Sequence, residues 1–135
     1  MSRLIKVLTM TLVLVTVLLV SVTGAVFAGG EPIDIAVSPN VLNIGSNSSY
    51  IHIHTDIGYE GGEVAAVAVD GNEIDPEEIT MFADDCGNLV VMFGIDLVKD
   101  IVYVDGVIVS DPAVFVLTYL ERSGDDSVPV IYPNK

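Results

Sequence analysis

Two short stretches hold the side chains best suited to chemistry. The first is His52 and His54, the two histidines of the chain. They stand at i and i+2 in Tyr50-Ile51-His52-Ile53-His54-Thr55, where apolar and polar residues alternate strictly. In a strand, residues two apart point to one face. Two imidazoles so placed can chelate Zn²⁺ or Cu²⁺ together, with a third ligand from elsewhere. Asp56 shares their face if the strand continues, and Cys86 is the one soft thiolate available. The plainer reading is a polar strand face that happens to carry histidine.

The second stretch is Asp84-Asp85-Cys86-Gly87-Asn88. Acidic loops hold Ca²⁺ when oxygen ligands fall at fixed positions, as at 1, 3, 5 and 12 of the EF-hand loop with glycine at 6. Counted from Asp84, Cys86 falls at 3, Asn88 at 5 and Ile95 at 12, and Gly87 comes one place early. The EF-hand template therefore fails. A looser Ca²⁺ site from Asp84, Asp85 and Asn88 plus a distant acid remains an expectation, beside the simpler one of a solvated acidic turn. Asn47-Ser48-Ser49 is a glycosylation sequon in an expected surface loop. No nucleophile motif, no phosphate-binding glycine loop and no tryptophan for sugar stacking is present. The sequence gives no catalytic residue and no cofactor other than the calcium just weighed.

The elements that must position these residues form one small domain. The chain has 135 residues. Arg3 and Lys6 open a basic region, Val7 to Val22 is almost wholly apolar, and Val26 and Ala28 fit the small-residue cleavage pattern. Residues 1–28 thus read as a secretory signal peptide. The apolar run also approaches the roughly 20 residues that span a bilayer, so a retained membrane anchor is the alternative. Either way the remainder is expected outside the cytoplasm, extracellular or at the cell surface. All 19 acidic residues lie beyond Ala28, against the three cations Lys99, Arg122 and Lys135. Such a surface excludes nucleic acid as a partner, because phosphate binding needs basic side chains. With Cys86 as the single cysteine, no intramolecular disulfide is possible, and an apolar core must hold the fold.

Residues 31–132 read as short strands between turns. Ile33–Val37, Val41–Ile44, Tyr50–Thr55, Val64–Val69, Ile79–Phe82, Leu89–Phe93, Ala113–Glu121 and Val128–Tyr132 are the candidate strands. Leu89 to Phe93 is apolar on both faces and is expected at the centre of a sheet. Asp70-Gly71 is a tight-turn pair. Asp75-Pro76-Glu77-Glu78 suits a single helical turn, and Ser123-Gly124-Asp125-Asp126 a turn. Two readings compete after Gly94. Asp96 can cap a short helix carrying Leu97, Val98, Ile101 and Val102, or Ile101–Val104 can pair with Val107–Val109 through Asp105-Gly106. About seven to nine strands at this spacing predict an all-β fold, an antiparallel β-sandwich preceded by the signal-peptide helix.

The order of motifs resembles a family of small immunoglobulin-like β-sandwich modules in exported and cell-surface proteins of archaea and bacteria. The residues that carry it are Ile33-Asp34-Ile35 with Ser38-Pro39-Asn40-Val41-Leu42-Asn43-Ile44, then Val67-Ala68-Val69-Asp70-Gly71, then Asp84–Asn88 running into Leu89–Phe93, then Val116-Leu117-Thr118-Tyr119 with Gly124-Asp125. The family's acidic loop is longer, and Cys86 and Asn88 stand where it usually has acids. The resemblance implies an extracellular sandwich without catalytic activity. Three functions follow as expectations. The first is a structural or adhesive module touching a cell-envelope component or an extracellular protein. The second is a Ca²⁺-dependent binding module, and the third a small secreted hydrolase or inhibitor.

Overall fold

The computed structural model describes residues 31–133, so the signal segment lies outside the described residues. The alternating segments become strands, and the architecture is all-β with antiparallel sheets. One sheet orders β1 (Ile35–Ser38), β3 (Tyr50–Gly58), β7 (Asn88–Gly94) and β6 (Thr80–Ala83). The other orders β11 (Arg122–Val128), β10 (Ala113–Tyr119), β4 (Ala66–Val69) and β5 (Asn72–Glu73). Their inner faces share one apolar core, in a sandwich-like arrangement: Ile51, Ile53, Leu89, Val91 and Phe93 face Val67, Val69, Phe115, Leu117 and Tyr119. As its composition predicts, β7 is an interior strand. Each large side chain in this core contributes about 1.5–3 kcal/mol through removal from water.

Two small additions accompany the sheets. β2 (Leu42–Asn43) pairs with β12 (Val130–Ile131), and this pair is parallel, a departure from a purely antiparallel fold. Helix α1 (Ile95–Val102) buries Ile95, Val98 and Val102, spaced at i, i+3 and i+7 along one face. Its N-cap is Gly94, and Asp96 falls in the first turn. Both readings of this stretch hold in part. The helix ends at Val102, and β8 (Tyr103–Val104) then pairs with β9 (Val107–Ile108) across Asp105-Gly106.

One expected turn is a strand. Ser123–Asp126 lies inside β11, and the chain reverses at Leu120-Glu121, whose φ values are 50° and 61°. Composition misleads here because neither turn residue is Gly, Asn or Asp, the types that enter the left-handed region easily. Gly124 has a different task. A Cβ on it would strike the carbonyl oxygen of Ile33. Without one, the incoming chain lies against β11, and Ile33 N–H donates to Ser123 O at 2.9 Å. The inward Asp126 accepts from Val37 N–H at 2.9 Å. Arg122 donates to the Glu31 and Pro32 carbonyls at 3.0 and 3.2 Å. Residue 31 therefore lies beside the Leu120-Glu121 turn.

Candidate functional site

Strand β3 places its side chains on two faces. Ile51, Ile53, Thr55 and Ile57 are buried, while His52, His54 and Asp56 project outward. The two imidazoles stack with ring centroids 6.2 Å apart and planes 24° apart. On the β1 side Ser38 pairs with His52 and Ala36 with His54. On the β7 side Met92 pairs with His52 and Val90 with His54. Phe82 of β6 pairs with Val90 and meets the His52 ring edge-on at 6.5 Å. Val90 is 1% exposed although it points away from the shared core. Asp56 is drawn into backbone work, since its carboxylate accepts from Asp34 N–H at 3.1 Å. Cys86 is exposed in the β6–β7 turn. Among the described residues no three His, Cys, Asp or Glu side chains gather as a metal-holding group.

The acidic stretch is the β6–β7 turn. One carboxylate oxygen of Asp84 accepts from Cys86 N–H at 2.8 Å and from Asn88 N–H at 2.9 Å. Gly87 supplies the left-handed residue, φ 80°, and donates to Asp84 O at 2.9 Å. Asp85 points to solvent and Asn88 is half-buried at the head of β7. The structure brings the three sequence-predicted ligands into one turn, with Asp84 already committed to the turn's own N–H groups. Asn47 is exposed in the loop between β2 and β3, as a glycosylation acceptor must be.

A third region is one the sequence did not single out. The β8–β9 hairpin exposes Val104, Val107 and Val109, the last two at 58% and 59%. Val104 pairs with Val107, so both sit on one face of the hairpin. Beside it Tyr103 stacks on Tyr132 with centroids 5.5 Å apart, and Ile131 is also exposed. Four residues separate β9 from Ala113, the start of β10. The hairpin thus leads into the Ala113 end of β10, whereas Arg122 pairs at the Tyr119 end, and β10 itself spans about 20 Å at 3.4 Å per residue. Periodicity could not reveal this, because a Val-rich run reads as core until its neighbours are placed.

A shallow cavity of about 160 Å³ lies between Val64, Ala65, Val67, Glu73, Ile74 and Pro76. Ligand clefts typically measure about 300–1,000 Å³. No family model matches the chain. No curated protein is significantly similar to it.

Proposed function

We propose that this protein is a non-catalytic, exported β-sandwich module of the immunoglobulin-like kind, acting by contact at the cell surface. The observation that carries the reading is the apolar β8–β9 hairpin. A contiguous exposed apolar surface costs solubility and commonly marks an interaction site. In this reading Val104, Val107 and Val109 meet an envelope component or an extracellular protein.

The test is binding of the labelled full chain to the envelope fraction of its own source cells. A Val104→Ser, Val107→Ser, Val109→Ser variant is compared with the wild type. Binding that saturates, and falls at least tenfold in the variant, is the expected result. Equal binding by both would remove the hairpin from the reading, and hydrolytic turnover by the purified chain would remove the reading itself.

A further inference from the structure

The outer face of the first sheet gathers two imidazoles and a thioether. His52 and Met92 are cross-strand partners, and His54 lies one pleat further along β3. Directly opposed residues hold their Cβ atoms about 4.5–5.5 Å apart. The tilt of the rings strengthens the grouping. β3 and β6 are two strand spacings apart, roughly 9.5 Å, yet the His52 and Phe82 centroids are 6.5 Å apart. Both rings therefore lean over β7, where Val90 and Met92 stand. This explains how Val90 comes to be 1% exposed on an outer face. His52 and Met92, opposite one another in the register, are both half-buried on this face.

We propose that His52, His54 and Met92 form a binding site for one copper(I) ion. Two imidazole nitrogens and a thioether sulfur make a neutral, soft donor set, and soft sulfur ligands select Cu(I). Calcium and magnesium require several oxygen ligands. The cross-strand neighbours Ser38, Ala36, Thr80, Phe82 and Val90 carry no charge, and Asp56, the acid next along this face, accepts from Asp34 N–H. Zinc favours thiolate, imidazole and carboxylate, and no third ligand of those types joins the histidines among the described residues. Metal–nitrogen bonds of about 2.0–2.1 Å at a tetrahedral angle put ring centroids ~5 Å apart. The observed separation is 6.2 Å with the rings stacked, so metal binding requires the exposed His54 ring to turn and bring its nitrogen to the ion. The net charge of −14 raises the local concentration of any cation.

The experiment uses the full chain carrying Cys86→Ser, so that the lone thiol does not compete. Cu(I) is supplied anaerobically and contested by a chromogenic Cu(I) chelator, with Zn²⁺ as the control ion. Imidazole and methionine-methyl NMR signals are followed in parallel, and thermal melts confirm that each variant folds. The chain has two histidines and four methionines, so single substitutions assign the signals. One equivalent of Cu(I) is expected to be retained, with shifts in both imidazoles and the Met92 methyl. His52→Ala, His54→Ala and Met92→Leu are each expected to weaken retention at least tenfold, and Zn²⁺ to leave the Met92 methyl unmoved. Retention that survives the double histidine substitution overturns the proposal, and so does loss of all copper to the chelator. If a histidine variant does not fold, Met92→Leu decides: unchanged Cu(I) affinity with a static methyl signal sinks the site.

Discussion

The β6–β7 turn and the outer face of β3 are both rich in potential ligands, yet they use their side chains in opposite ways. At the turn the backbone is unpaired, and the nearest carboxylate serves it. Asp84 takes two N–H groups of its own turn. The pattern recurs at three other places where the chain changes direction. Asp70 accepts from Val114 N–H at 2.9 Å and from the Ser110 hydroxyl at 2.6 Å. Asp75 caps the 3₁₀ turn at Pro76–Glu78. Asp111 accepts from Val130 N–H at 3.1 Å. Along β3, by contrast, the backbone is engaged in the ladders to β1 and β7, so no backbone group asks anything of His52 or His54. These aspartates are therefore structural. The chemically available donors are those on the stretch of β3 whose backbone is already paired.

That contrast can be broken by substitution. The largest effect is expected where a residue exists to admit another backbone. Gly124→Ala forces the chain at Ile33 away from β11, and should cost about 3 kcal/mol in urea unfolding, within the range of overpacked sites. A loss below about 0.5 kcal/mol, the scatter of ordinary surface substitutions, would show that the docking of residues 31–34 is dispensable.

Asp70→Ala comes next. It leaves two donors without their charged acceptor, at about 2–3 kcal/mol. Asp70→Asn keeps one acceptor oxygen and should lose roughly half as much on the same scale.

Asp84→Ala should cost about 1 kcal/mol, because the turn is solvated and water replaces part of the lost bonding. Asp84→Asn retains an acceptor and should be nearly silent. Calcium is expected to move neither melting curve. If calcium raises the wild-type melting temperature by several degrees and Asp84→Asn abolishes the rise, the turn is a cation site and the contrast fails.

The smallest effect on stability belongs to the histidines. His54→Ala, on an exposed face, should stay within about 0.5 kcal/mol of the wild type by urea titration. A larger loss would mean that the outer face of β3 is structural after all.

Several parts of this architecture are legible in the order of residues alone. Strict alternation at residues 50–55 sets which side of β3 meets the core, because a strand's side-chain period is two. Apolarity on both faces at Leu89–Phe93 marks an interior strand. Asp70-Gly71 and Asp105-Gly106 announce their turns, since these types reach positive φ at low cost. The turn at Leu120-Glu121 is illegible for the same reason, as its residues reach that region only under the constraint of the two long strands they join. The polar run Ser123–Asp126 looks like a turn because Ser, Gly and Asp are turn-forming types, although it pairs along β10 at Phe115–Thr118.

The sequence by itself determined the all-β class, the shared apolar core, the faces of the long strands and the acidity. All of these follow from local patterning. Only the tertiary structure decided which strand lies beside which, and that decided the rest. Register set Met92 opposite His52, drew Phe82 over Val90, turned the aspartates toward particular N–H groups and left the β8–β9 valines in solvent. Pairing between strands distant in sequence is chosen by the packing of whole sheets, and no short window of residues contains it.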